Sequence, residues 1–352
     1  MKDLYTGNLF ATESNLKIMR LTGDDVLEKN DRLRLFLELT KNHEAMYPDI
    51  ERWMKEKVLP GIRSGERVAY IGLNNEKPVV SAIAKHGAHS KFCHLHIDVG
   101  LRDLNIGNLF FAMLALDVKR FAKEVHFTLP ESLWIEKESF FQSFGFQRVR
   151  KSETQYRTFE EELKCSASFD LVWSNVLDKL PKLIESLTKS HDNIFNGLLV
   201  SIKPKYISKI ERGDKIVEIR KRFSKKWQGC RATLYSTSPV KAIYGYATIE
   251  KIRKDTPEKI WSQYGEDIGG IKRDFDEYVG SSKEIYAIFL NNYNAYLNSL
   301  DLEHISYLLN YKKLKPPQSY LCLEKDTDWT KAVSIAELLH NRFWLYEATP
   351  AF

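Results

Sequence analysis

The sequence has 352 residues, with 53 Lys and Arg against 47 Asp and Glu for a formal charge of +6, and it is 43% hydrophobic and 12% aromatic. That is too apolar for a disordered chain and long enough for two cores of about 100–200 residues each. No run approaches the ~18–20 apolar residues of a membrane span, and the opening MKDLYTGNLF lacks the basic-then-apolar order of a secretory signal.

The pattern from 24 to 43 predicts an amphipathic helix, with Val26, Leu33, Phe36 and Leu39 set among charges and Asp24 and Asp25 at its start. A second helix is expected from about Pro48 to Ile62. The period then changes. Arg67–Leu73 reads as a strand, Asn74–Lys77 as a turn and Pro78–Lys85 as the returning strand. Lys91–Val99 alternates strictly, which predicts Phe92, His94, His96 and Asp98 on one face and Cys93, Leu95, Ile97 and Val99 on the other. A loop over 100–107 leads to a strong helix near 108–123, a strand at 125–129, a helix near 135–143 and a strand to about Val149. Residues 163–195 read as a helical connector interrupted by Pro181.

A second domain begins near Asn196, with strands expected at 198–202, 215–220, 232–236, 240–252 and 284–290 and a short helix at 206–212. The reading is therefore α+β, in three parts: 1–162, the connector, and 196–352. Leu338, Leu339, Phe343, Trp344 and Leu345 look like a docking helix in a tail, 326–352, of no legible role. The four cysteines (Cys93, Cys165, Cys230, Cys322) lack paired spacing. That argues against a structural zinc site or a disulfide framework and suits a reducing cytoplasm.

Charge is unevenly spread. Residues 1–190 hold 28 Lys and Arg against 27 Asp and Glu, whereas 191–352 hold 25 against 20. Within 201–231 eleven cations, Lys203, Lys215, Arg220 and Arg231 among them, face only Glu211, Asp214 and Glu218. Such a segment attracts polyanions; a solvated basic surface is the plainer alternative.

The stretch Val99–Asn108 joins a strand end, a tight polar loop and an apolar helix. A helix start offers unpaired amides and a partial positive charge, which suits phosphate, and Gly107 lets the backbone approach closely. Arg102-Asp103-Leu104-Asn105-Ile106-Gly107 resembles the Arg/Gln-x-x-Gly-x-Gly/Ala loop of the GNAT acetyltransferases, with Asn105 where the middle glycine stands. The helix from Leu109 resembles the family's pyrophosphate helix, and Phe140–Phe146 resembles its closing FY-x-x-x-GF phrase. The resemblance spans about 18–150. It implies acetyl-CoA as donor, its pyrophosphate on amides from Arg102, Asp103, Leu104, Asn105, Ile106, Gly107 and Asn108, and its thioester carbonyl on the backbone near Ile97 and Val99. The family's frequent general acid, a tyrosine, corresponds to Phe141, which cannot donate a proton. Tyr70, Tyr156 and Ser139 are candidate substitutes, as is water. For the base, His94, His96 and Asp98 share the polar strand face, and a neutral histidine can take the proton directly or through water.

Ser201-Ile202-Lys203-Pro204, followed by a short helix and Gly213-Asp214-Lys215-Ile216-Val217-Glu218-Ile219-Arg220, resembles the ASCH family of PUA-like β-barrels over about 196–325. Lys215 and Glu218 are three apart, so a bulge or strand end is needed to gather them at one cleft. Lys203, Lys215, Glu218, Arg220 and Tyr244 are the candidate nucleic-acid contacts, with Tyr235, Tyr244 and Tyr246 available to stack on bases; a surface ion pair with core tyrosines is the alternative. Three functions fit: a GNAT-type N-acyltransferase that binds RNA through the ASCH part, a CoA-binding regulator without catalysis, and an acetylcytidine amidohydrolase in the ASCH part. Acceptor and oligomeric state are not legible.

Overall fold

In a computed structural model, residues 5–8, 15–41, 47–101, 105–151, 160–187, 196–324 and 327–340 are described. The chain forms two compact units, Met1–Lys189 and Ser190–Phe352. Among the described residues, no helix is long and apolar enough to cross a membrane.

The first unit runs β1 (Tyr5–Asn8), β2 (Asn15–Leu21), α1 (Gly23–Glu28), α2 (Asp31–Lys41), α3 (Ile50–Trp53) and α4 (Leu59–Arg63), the last two joined by a π-turn at Met54–Val58. It continues through β3 (Arg67–Asn74), β4 (Lys77–Lys85), β5 (His89–Ile97), α5 (Ile106–Val118), β6 (Glu124–Pro130), α6 (Glu131–Gln142), β7 (Gln147–Lys151), β8 (Glu162–Ser168) and α7 (Phe169–Leu187). The eight strands form one sheet in the order β1-β2-β3-β4-β5-β6-β8-β7.

The helix expected over 24–43 is two helices. Thr22 and Asp25 form a capping box at the start of α1, Lys29 ends it at φ 50°, and the Asn30 side chain accepts from the Leu33 amide at 3.2 Å to start α2. The stretch read as a connector contributes β8 and α7 to this unit: β8 pairs with β6 along its whole length and also with β7. Helices α2–α4 cover one sheet face through Leu33, Phe36, Ile50, Val58 and Ile62, which pack on Ala69, Ile71 and Ile83. On α5 nearly every side chain is buried, because it packs on both the sheet and α7. That is why its sequence is apolar all round.

The second unit runs β9 (Leu198–Ile202), α8 (Pro204–Glu211), β10 (Val217–Arg220), β11 (Arg231–Ser236), β12 (Ala242–Asp255), α9 (Pro257–Tyr264), α10 (Lys272–Val279), β13 (Ile285–Asp301), α11 (Leu302–Leu308), β14 (Tyr320–Cys322) and α12 (Asp328–His340). Its sheet has the order β10-β13-β12-β11-β9-β14. The sheet curls into a half-barrel, as the fold expectation had it, and among the described residues no ladder joins the edges β10 and β14. A side chain spans the gap instead. Arg220 of β10 donates to the Ser201 carbonyl on β9 at 2.6 Å and to the Ser319 hydroxyl, just before β14, at 3.3 Å. The tail helix is α12, where Leu338 and Leu339 are buried; Phe343, Trp344 and Leu345 lie outside the described residues.

Candidate functional site

In the first unit the site is built on β5. A bulge at Cys93 pairs Ile83 with His94 but Ala84 with Phe92. The strict alternation expected for this strand is therefore broken. Phe92 packs edge-on against Phe111 of α5, and Cys93 packs with the α2–α4 core on the other face, together with Ile83, the cross-strand partner of His94. Beyond the bulge His94, His96 and Asp98 do share a face, as the spacing predicts. His94 is buried, with Nε2 2.8 Å from the Ser81 hydroxyl and the Tyr47 ring edge-on at 5.6 Å. His96 is half-buried, with Nε2 3.0 Å from Asp98 Oδ1.

The bulge also has a consequence for the sheet. Parallel pairing of β5 with β6 covers only His89–Lys91 against Glu124–His126. Bulges increase local twist, and this one begins two residues after the last pair, so the strands part into a fork. At the open end of the fork stands the start of α5. Asn105 is left-handed at φ 58°, a conformation Asn tolerates, and its carbonyl accepts from the Leu109 amide at 3.0 Å. The amides of Ile106, Gly107 and Asn108 precede the first intrahelical bond and have no partner within the helix. A methyl group on Gly107 would lie 3.6 Å from Ile97 Cδ1 and 3.5 Å from the Phe140 ring, so the helix start abuts the end of β5. Val99 is exposed, and Arg102, Asp103 and Leu104 lie outside the described residues. Strand ends unpaired beyond Lys91 and His126, beside the amides of a helix N-terminus, have the polarity that a diphosphate needs.

The substitutes for a general acid fare differently. Phe141 packs on Trp134 and Phe127. Tyr70 is fully buried and donates to Asp117 at 2.6 Å, which removes it as a donor to the fork. Ser139 is exposed on α6, and Tyr156 lies outside the described residues.

In the second unit Lys215, Glu218 and Arg220 meet. Strand β10 begins only at Val217, because the amides of Ile216 and Val217 both bond the Asp267 carbonyl. Lys215 thus precedes the strand and turns back on Glu218, meeting the need for a strand end. Its Nζ lies 3.1 Å from Glu218 Oε2, and Arg220 Nη2 lies 3.0 Å from Glu218 Oε1. Lys215 also donates to the carbonyls of Val217 (2.6 Å) and Ile268 (3.0 Å), with the Tyr206 ring 5.0 Å away. Gly269, at φ +67°, permits this approach: a Cβ there would lie 2.8 Å from that of Lys215. Burial pulls the Lys215 ammonium down while Glu218 holds it up.

Lys215 and Arg220 are therefore buried ions with internal partners, not members of an open basic surface. The same correction applies to Arg231, which is 2% exposed. It ion-pairs with Glu337 of α12, lies 3.6 Å over the Tyr246 ring and donates to the Tyr296 hydroxyl at 3.0 Å. Tyr244 and Tyr246 do not act together. The bulge at Leu234/Tyr235 leaves Tyr244 packed against the barrel core, whereas Tyr246 lies beside Arg231. The exposed cations that remain are Lys203, Lys221, Arg222, Lys225 and Lys226, while Lys205 pairs with Asp274 and Arg212 with Asp214. Sequence reasoning missed Ser81, Ser319 and the Arg231–Glu337 pair. A lone hydroxyl in PVVSAIAK and a lone acid in the apolar run of α12 were the available signals.

Residues 195–309 match a family described as a domain of unknown function, DUF365. A curated relative, an ASCH domain-containing ribonuclease from Zymomonas mobilis subsp. mobilis, is 26% identical over 137 residues, which is 39% of this chain and 90% of the relative. The crystal structure of ASCH from Zymomonas mobilis matches 40% of this chain and 95% of its own at 26% identity, with a TM-score of 0.36. A putative GNAT-family acetyltransferase from Desulfovibrio desulfuricans matches 44% of this chain and 99% of its own at 10% identity, with a TM-score of 0.35. The ASCH relative and the acetyltransferase structure are each matched over most of their own length and over less than half of this chain. In the first unit the fork and the α5 start are the candidate site. In the second unit the Lys215–Glu218–Arg220 cluster is the candidate site.

Proposed function

We propose that the chain is an acyl-CoA-dependent N-acyltransferase that holds RNA with its ASCH-like unit. Its acceptor is an amine on RNA, on aminoacyl-tRNA or on an RNA-associated protein. The observation that carries this reading is the β5/β6 fork, which opens after Lys91 and His126 and ends against the amides of Ile106–Asn108. Acetyl-CoA, when bound, supplies an activated acyl thioester. The chain's own groups do the rest. The α5 amides hold the diphosphate, and the main chain near Ile97 and Val99 orients the thioester. If His96 Nε2–H donates to Asp98, Nδ1 becomes the basic nitrogen that takes the acceptor's proton. His94, buried against Ser81, keeps this strand face in place. Tyr70, held by Asp117, does not replace Phe141, and a thiolate of ordinary pKa, about 8.5, departs without a donor at mildly basic pH.

Labelled acetyl-CoA incubated with the protein and with total RNA, tRNA and protein fractions tests this reading. Label should appear in an RNA-containing fraction. If the cofactor stabilises the fold and no fraction is labelled, the chain is a CoA-binding regulator. One observation favours a further activity of the ASCH-like unit: the curated relative is named a ribonuclease and is matched over most of its length. Cleavage of RNA, or deacetylation of acetylcytidine, without any CoA would assign that unit a hydrolytic role around Lys215 and Glu218.

A further inference from the structure

The sheet face that carries His94 and His96 continues onto β6 and β8. Lys91 and His126 are the last cross-strand pair of the parallel ladder. His126 and Thr128 stand opposite Ser166 and Lys164 in the antiparallel ladder. Cross-strand partners, and residues two apart, share a face. Lys91, His126, Lys164 and Ser166 therefore gather at the point of the fork, all half-buried. His126 Nδ1 is shielded from solvent and has no hydrogen-bond partner among the described residues. Burial first, then the Lys164 and Lys91 ammonium groups, pull His126 down to about 4, with Glu124 acting upward and His89 downward. Glu124, the acid on this face of β6, lies 3.8 Å from His89. At working pH the cluster is thus a neutral imidazole between two cations.

We propose that this cluster is a phosphate subsite for the acyl acceptor: one phosphate of a nucleotide-bearing acceptor accepts from the Lys91 and Lys164 ammonium groups, the His126 ring and the Ser166 hydroxyl. The inference rests on the acyltransferase reading, because the cluster lies on the same sheet face as His96, the proposed base. From His96 back to Lys91 is five strand steps, ~16 Å at ~3.3 Å each, a span that a nucleotide-bearing acceptor crosses with its amine beside His96 and a phosphate at the cluster. Charge then selects the acceptor. Two lysines repel a substrate whose only charge is its ammonium group and draw one that brings a phosphate.

The test is the NMR titration of the His126 ring in the full chain, with inorganic phosphate, a nucleoside 5′-monophosphate and RNA as separate probes. Bound phosphate should raise the ring's midpoint from about 4 toward the ordinary histidine range, saturably. The K91Q/K164Q double variant should lose the response, and S166A, which keeps both cations, should weaken it. Response to the mononucleotide alone identifies a small phosphorylated acceptor, and a stronger response to RNA identifies a nucleic acid. A midpoint indifferent to all three probes overturns the subsite. The acyltransferase reading fails separately, by absence of acetyl-CoA stabilisation in the unaltered protein.

Discussion

Gly107 offers the sharpest test of the fork. A methyl group built on it would touch the Phe140 ring at 3.5 Å and Ile97 Cδ1 at 3.6 Å, which are ordinary packing distances. The free protein should therefore accept G107A without loss. Helix propensity even favours the change, by at most ~0.5–1 kcal/mol, the value for a helix interior. The liganded protein should not accept larger side chains, because a diphosphate must come up against the amides of Ile106, Gly107 and Asn108. A ligand at a hundred times its Kd stabilises a native fold by about 2.7 kcal/mol. For a unit of this size each kcal/mol moves Tm by about 2–4 °C, so acetyl-CoA should raise it by roughly 5–10 °C. Thermal denaturation with and without acetyl-CoA reads both effects. G107A should match or slightly exceed the unaltered protein without ligand, and G107L should lose the ligand-induced rise. A full rise in G107L refutes the cradle, and a collapse of unliganded G107A refutes the packing argument.

The other expectations concern both units. H96Q should lower kcat/KM for acyl transfer by about 10²–10⁴, while acetyl-CoA stabilisation persists; an unchanged kcat/KM would exclude His96 as the base. R231M leaves Glu337 buried without its counter-ion, with only neutral donors such as the Tyr296 hydroxyl left to it, and should cost about 3–5 kcal/mol in urea unfolding, and R231M/E337L should recover most of that; equal losses in both variants would show that packing, not charge, dominates. Replacing Lys221, Arg222, Lys225 and Lys226 with alanine should flatten the salt dependence of RNA binding by about 0.7 in slope per lost single-strand contact, whereas K215A should destabilise the unit; an unaltered slope moves the RNA site elsewhere. Burial holds Lys119, beside Trp173, at about 8. An unfolded lysine titrates near about 10.4, so between these values the unfolded chain binds more protons. Stability should therefore rise as pH climbs through that window and be lower below it. K119M should flatten the trend seen in denaturant titrations at pH 7.5–10.

Much of this was already written along the chain. The strand and helix periods, the strand–loop–helix at 99–108 and the Lys215–Glu218–Arg220 spacing depend on neighbours a few residues away, so a local pattern reveals them. Asn105 is legible for the same reason: a left-handed start to α5 is a property of one residue. Orientation and pairing are another matter. One extra residue at Cys93 turned Phe92 to the opposite face and opened the fork, and alternation alone gives no notice of a bulge. Arg231 and Glu337 are 106 positions apart, and nothing near either tells that they meet. Arg220, read as a ligand contact, bridges two strand edges because the sheet curls back on itself. Composition counts charges, but only the fold decides which of them face water. A buried ion needs a partner at hydrogen-bond distance, and that partner is supplied by strand register and helix docking from far along the chain.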